Sequence, residues 1–560
     1  MKTIIKRCIA LLVALSLLTL SSCSTIASYL DDYSLLDSAV KPDTEFRITA
    51  DLVYEFDEQI PLQIEERFEK MEELLKANNV VRAIPFLLLF SAQAQDMFYV
   101  ADHANLCNIR YYANPEDSAA MDEYLRLNQL YTDYSSRLLS MYRPIYESNY
   151  RHFFFGSLSK SDRKRILALA DSFSGEVARI TKERNDLISE YRSLSFEDQD
   201  FLFESVRIYE QIVKKNREIA LLSDYDSYPD YAYDVVYSRD YTPEQAKKMH
   251  GYVKDYVVPM AKDLYEEIGA FAAKDPEGAK ALEQEMSALF GKELTTSTAN
   301  GELSDYYSLQ YWDADSFIDK WENHSIFGDE ESYPIAFTTY LRYYDFTLCY
   351  FGEGYQTIST CIHEQGHFAA FLETTGGYTS MDLNEVHSQG NEWLYYSYLG
   401  SLYEEDSSTY DMIVKSQAYE HFLNIIISTA CDMFEQRVYA DESLTYDQYD
   451  RVFDECVEEL GATTILENSM SMKPSEYWHM AIIANSLYYL SYAVSLIPSI
   501  ELYVITQDQG LEEAADRYLA LTEGSSEVSF GKALGDAELS SPFDEGVYII
   551  LSQYFSRTAE

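Results

Sequence analysis

Residues 356–373 decide the fold: His363-Glu364-Gln365-Gly366-His367 lies in a proline-free run whose only glycine is Gly366. The pattern predicts a helix, on which residues four apart share one face a turn apart, so the two imidazoles can hold one small cation. Glu364 stands about 100° around the axis from His363. That offset keeps its carboxylate off the cation but close to a water held there. Zinc suits such a set because it polarises a carbonyl and lowers the pKa of bound water towards about 7. With nine histidines in 560 residues, chance supplies roughly 0.01–0.02 such patterns.

Downstream, Gly376-Gly377 supplies a helix stop and turn. A second helix is expected to start near Ser380 or Asp382 and to carry Glu385, 18 positions beyond His367. That length lets the chain finish one helix, reverse and return a carboxylate to the cation. Glu392 follows Glu385 by seven residues, two turns along the same face, where it can orient a ligand histidine. His387 lies nearly on the opposite face from Glu385 and cannot easily share its ion. Upstream, residues 335–350 are rich in β-branched and aromatic side chains between Pro334 and Gly352. They predict a short hairpin or small sheet just ahead of the metal helix.

The remainder reads as helix. Phe68, Met71, Leu74 and Leu75 repeat at three- and four-residue steps, as do Ile208, Ile212 and Ile219 at four and seven. Residues 223–241, with repeated Tyr and Asp around Pro229, read as a connector. Thr242-Pro243-Glu244 then opens a helix with a threonine cap and proline in the first turn. Only 13 prolines and 21 glycines punctuate the chain, which suits long helices. The expected organisation is mainly α and two-lobed, with an N-terminal helical lobe over residues 46–240 and a catalytic lobe over 241–560.

Composition excludes some functions. A formal net charge of −51 repels phosphates, which argues against a nucleic-acid partner. Solubility is the plain reading of that charge, and a preference for cationic substrates the other. Fifty tyrosines imply aromatic packing with polar tips and suit a cleft for peptides. There is no GxSxG elbow or P-loop, so serine-hydrolase and nucleotide readings have no support. His103, His152, His250, His324 and His421 stand alone and read as surface or satisfied interior.

The N-terminus reads as an address. Lys2, Lys6 and Arg7 precede an apolar run at 9–20 that ends in Leu20-Ser21-Ser22-Cys23. This resembles the lipobox of bacterial lipoprotein signal peptides, which implies a signal at 1–22, a lipid on Cys23, a tether over 23–45 and an extracytoplasmic, membrane-anchored protein. Cys107, Cys349, Cys361, Cys431 and Cys456 then remain. They include no CxxC pair, so a cysteine-based zinc site is unsupported, and a single disulfide is left open.

His363-Glu364-Gln365-Gly366-His367, followed by Glu385-Val386-His387-Ser388-Gln389-Gly390-Asn391-Glu392, resembles the oligoendopeptidase F and thimet oligopeptidase family of zinc peptidases. That family has HExGH and then an EVxSxxNE-type segment. The stretch 242–265, with Val257-Val258-Pro259, has the look of the long helix entering its catalytic lobe. The resemblance implies a two-lobed, helical, zincin-like peptidase with a deep channel that admits unfolded oligopeptides. It implies one Zn2+ on His363, His367 and Glu385, with Glu364 as general base. His479 before Tyr488-Tyr489-Leu490-Ser491-Tyr492-Ala493 is similar to the family's histidine and tyrosine cluster. In that likeness His479 and Tyr489 or Tyr492 stabilise the oxyanion. Tyr489 and Tyr492 share a helical face, and Tyr488 with Tyr492 is the rival pair.

Two other functions stay open from sequence. A related HExGH zinc carboxypeptidase or dipeptidase would use the same helix and downstream glutamate. A non-catalytic peptide-binding lipoprotein would have no need of Glu364 between two ligands.

Overall fold

The helical periodicity takes shape in a computed structural model that describes residues 46–49, 51–196, 198–310, 314–373, 380–403, 407–524 and 529–556. The signal, lipobox and tether, and the Gly376-Gly377 turn, lie outside the described residues. The chain divides into two compact units. Residues up to Lys164 with Tyr340–Phe346 form the first, and Arg165–Thr339 with Thr347 onward form the second.

In the first unit, α1 (Gln59–Ala77), α2 (Ala83–Ala113) and α3 (Ser118–Ser140) pack in series. The predicted stripe is buried: Phe68, Met71 and Leu74 are shielded, joined by Ile64 one turn and Ile60 two turns before Phe68. Within that core, Arg67 on α1 pairs with Asp96 on α2 and neither side chain touches solvent.

The second unit holds α4 (Phe201–Leu222), α5 (Pro243–Tyr252), α6 (Val258–Lys274) and a small sheet. The strands are β1 (Ser325–Phe327), β2 (Ala336–Leu341) and β3 (Phe346–Phe351), in the order β1-β3-β2. The hairpin expected at 335–350 is β2 and β3. β1 runs parallel to β3 with Ser325 opposite Cys349 and Phe327 opposite Phe351; three residues are too few to signal a strand. Then come α7 (Ile358–Glu373), α8 (Met381–Leu399), α9 (Ser408–Ala440), α10 (Pro474–Ala481), α11 (Leu490–Gln509) and α12 (Leu511–Gly524). α8 packs on α7 and α11, and α11 on α9. Mainly α with a small sheet ahead of the HExxH helix is the fold class read from the sequence, and the structure gives that sheet three strands.

Local chemistry explains these boundaries. Thr242 and Gln245 form a reciprocal capping box at the start of α5. A π-turn at Val253–Val257 joins α5 to α6 just ahead of Pro259, whose missing N–H cannot continue the ladder. Residues 223–241 differ from the expected connector. Tyr228, Tyr231, Tyr233 and Tyr241 are buried there, so the aromatic side chains fold the stretch into the core rather than leaving it solvated. The five described cysteines are all unpaired.

The hairpin tip belongs to the first unit because Asp102 of α2 caps it. Its carboxylate accepts N–H bonds from Arg342, Tyr343 and Tyr344 at 3.2, 2.7 and 3.4 Å. Burial pushes the Asp102 carboxyl from 3.8 up to about 7. The folded chain therefore holds this proton more tightly than the unfolded chain. That contribution is complete below about pH 3.8 and is lost as pH rises through about 7. The stability advantage of wild type over Asp102→Asn should accordingly shrink between pH 4 and pH 7 in urea titrations. A difference that does not change with pH would refute the raised carboxyl.

Candidate metal centre

Helices α7 and α8 bring the predicted ligands together. The ligand atoms of His363, His367 and Glu385 all lie within 4.8 Å of one another. His363 and His367 are one turn apart on α7, with ring centroids 5.1 Å apart. Glu385 comes from the second turn of α8, whose N-cap is Ser380: its Oγ accepts from the Leu383 N–H at 3.2 Å.

Glycine at 366 makes this approach possible. A Cβ there would stand 2.3 Å from the His387 carbonyl oxygen and 2.6 Å from Ser388 Cα, both backbone atoms of α8. Asn391 pins the pair, donating from Nδ2 to the Ile362 carbonyl at 2.6 Å while its Oδ1 accepts from the Tyr306 hydroxyl at 2.7 Å. Tyr518 of α12 donates to the same His387 carbonyl at 2.8 Å.

Glu392 orients a ligand, as its spacing suggested. His363 Nδ1 is 2.6 Å from Glu392 Oε1, which leaves Nε2 for a cation. Burial alone would lower the His363 pKa, but the Glu392 carboxylate reverses this and holds it up at about 9. In return, Glu392 is held at about 2: burial would raise it, and its bonds to His363 and His421 outweigh that. His367 is driven well down by burial and by the neighbouring His363, so its imidazole stays neutral with a lone pair to give. Burial raises both Glu364 and Glu385 above the ordinary carboxylate range. Two histidines and a glutamate with an adjacent second glutamate form a donor set suited to zinc. The buried negative charge calls for a cation.

Glu364 is only 6% exposed and is held from the sheet. Thr338 on β2 donates its hydroxyl to Glu364 Oε2 at 2.7 Å, and Thr338 Oγ1 also lies 3.2 Å from Cys349 Sγ. Burial keeps the Cys349 and Cys361 thiols protonated, with pKa values pushed upward.

A cavity of about 340 Å³ opens at the cluster, lined among others by His363, Glu385, Gln389, His421, Asn424 and Tyr492. Tyr492 is therefore at the site. Tyr488 joins it, its hydroxyl 3.4 Å from that of Tyr492, and the Glu385 carboxylate adds to the burial that raises both phenols. Tyr489 turns away: its hydroxyl bonds to Tyr477, and its ring meets that ring edge-on at 6.1 Å. The reason is structural: α11 begins only at Leu490, so helical spacing does not govern residues 488 and 489. The structure does not bring His479 to the cluster either. Its ring stacks on Trp478 at 3.9 Å, with Nδ1 2.7 Å from Ser205 Oγ and Nε2 2.9 Å from Asp450 Oδ1.

His421 is the residue that the sequence reading missed. On α9, it lines the cavity with Nε2 3.5 Å from Glu392 Oε2. It belongs to no local motif, and nothing in its sequence neighbourhood marks it out. His387, by contrast, is buried with neither ring nitrogen partnered among the described residues, and burial lowers its pKa to about 3.

Gly366→Ala should cost about 1–3 kcal/mol of stability in urea unfolding. It should also reduce bound metal in elemental analysis, because the new methyl drives α7 from α8. Full metal occupancy and an unmoved midpoint would show that the contact is not needed.

No family model matches this sequence, and no curated protein matches it significantly. Solved structures do match. PZ peptidase A, solved with an inhibitor, superposes with a TM-score of 0.67 at 17% identity, over 91% of this chain and 98% of that one. A Bacillus anthracis protein assigned as an oligoendopeptidase F gives 0.64 at 17%, over 89% and 96%. Trypanosoma cruzi metallocarboxypeptidase 1 gives 0.52 at 10%, over 88% and 99%. At these identities what is shared is architecture: the chain has the helical fold of the oligoendopeptidase F structures.

Proposed function

We propose that this protein is a zinc-dependent peptidase that hydrolyses oligopeptides internally. The observation that carries the reading is the convergence of His363, His367 and Glu385 beside the buried Glu364. The fold shared with PZ peptidase A and the oligoendopeptidase F structure supports it. His363, His367 and Glu385 would hold one Zn2+, which supplies carbonyl polarisation and a lowered water pKa when bound.

The remaining chemistry belongs to the chain. Glu364, raised above the ordinary carboxylate range by burial, takes the proton of the attacking water and returns it to the leaving amine. Thr338 keeps that carboxylate in place through its 2.7 Å bond. Tyr492, with Tyr488 beside it, donates towards the oxygen on which negative charge develops. One such donor is worth about 3 kcal/mol of transition-state stabilisation. Glu392 holds His363 in the tautomer that presents Nε2.

Glu364→Gln should retain stoichiometric zinc yet lose cleavage of an internally quenched peptide by at least about 100-fold. His363→Ala should lose the metal as well. Cleavage by Glu364→Gln at the wild-type rate would remove the proposed base, and full zinc in His363→Ala would remove the proposed ligand.

A carboxypeptidase reading is favoured by one observation, the fold shared with metallocarboxypeptidase 1. Peptides blocked at both ends separate the two readings, since only an endopeptidase cuts them.

We read the N-terminus as anchoring this activity outside the cell membrane through a lipid on Cys23. Cys23→Ala should move the protein from the membrane pellet to the supernatant on fractionation. Unchanged pelleting would count against the anchor.

A further inference from the structure

Tyr488 lies on an irregular turn and Tyr492 in the first turn of the helix that follows it, and the structure shows what fixes that turn. The turn spans residues 482–489, between the end of α10 and the start of α11. Leu487 within it adopts a left-handed φ of 63°, which a branched side chain resists. Helical hydrogen bonds do not place this segment. Buried polar groups do. Tyr237 donates its hydroxyl to the Ser486 carbonyl at 2.6 Å. The Leu487 N–H is bound by Glu435 Oε2 of α9 at 2.7 Å.

Arg239 is the charged member of this set. Its side chain is fully shielded. Nη2 donates to Ser491 Oγ at 3.0 Å and makes a long 3.5 Å contact with the Tyr488 carbonyl. On its other side, Nε lies 3.6 Å from Asp382 Oδ2, in the first turn of α8, the helix that carries Glu385. Tyr241 donates to that same Asp382 oxygen at 2.9 Å. The guanidinium is packed over the rings of Tyr233, Tyr237 and Tyr241 at 4.5, 4.7 and 5.6 Å. One planar cation thus touches both the helix of the third ligand and the turn of the two phenols.

We infer that Arg239 is a positioning residue, which sets the Tyr488–Tyr492 hydroxyls against the metal centre by tying Ser491 and the Tyr488 carbonyl to Asp382. The inference rests on the peptidase reading, in which these phenols meet the developing oxyanion. A guanidinium makes these contacts in one plane, whereas an ammonium keeps the charge but cannot span them. Misplacing a reacting group by about 1 Å can lower turnover by roughly 100-fold. The loss belongs in kcat, because substrate binding and metal retention do not use the tether.

The test compares Arg239→Lys, Ser491→Ala and Tyr492→Phe on the full chain, with rates normalised to bound zinc. Arg239→Lys is expected to lower kcat by roughly 10- to 100-fold with KM within about twofold and zinc retained. Ser491→Ala should show a smaller loss of the same kind. Combining Arg239→Lys with Tyr492→Phe should cost no more than the larger single effect, since both act through one hydroxyl. Additive losses, or a lowered melting temperature with kcat per zinc intact, would overturn the inference. Should Arg239→Lys fail to fold, Ser491→Ala decides: kcat unchanged overturns it. If Tyr492→Phe itself leaves kcat untouched, the oxyanion reading falls, and the tether with it. If Tyr492→Phe is slow while Arg239→Lys and Ser491→Ala are not, only the tether falls.

Discussion

The close approach of α7 and α8 is the constraint on which the rest of the site depends. Two ligands come from one helix and one from the other, so their separation is set by backbone packing. Only a residue without a Cβ at 366 lets the His387 carbonyl come so near. Asn391, Tyr306 and Tyr518 then fix the register with buried hydrogen bonds. A site built in this way is assembled by folding rather than by its ligand, which is what precise placement of three donor atoms requires.

That assembly concentrates charge. Glu364 is buried, and Glu385 and Glu392 half-buried, near one another, yet their environments separate them. Glu392 is flanked by His363 and His421 and stays ionised. Glu364 and Glu385 are raised by burial. The difference in partners sorts three chemically alike carboxylates into an orienting anion, a proposed metal ligand and a proposed proton carrier. His421 matters in this sorting because it supplies the second partner that keeps Glu392 ionised.

What the sequence disclosed and what it withheld divide along the same physical line. The two imidazoles, Glu364, Glu385 and Glu392 were legible because helical periodicity converts spacing into direction, and both helices are regular. The hairpin at 335–350 was legible from β-branched and aromatic density. Tyr489 was misplaced for the opposite reason: between Ala481 and Leu490 the chain is not helical, so spacing carries no direction. His479 stands on a helix but is held by Ser205 and Asp450, distant in sequence. His421 and Arg239 were invisible because their roles arise from contacts across more than 25 residues.

The two classes of group are therefore held in different ways. The proposed metal ligands stand on helices whose ladders already fix each side chain. The proposed oxyanion donors stand on or next to a turn with a left-handed leucine, whose position must come from outside. A neutral hydrogen bond gives about 1 kcal/mol net, whereas bonds to charged groups give about 1.5–3 kcal/mol. A charged tether such as Arg239 is thus a means by which an irregular segment can be held nearly as firmly as a helix. Its own burial is tolerable because Asp382, Ser491 and the three tyrosine rings surround the arginine. Arg239 contacts both Asp382 on the helix of Glu385 and the segment of the phenols, so the proposed tether refers the two groups to one rigid side chain.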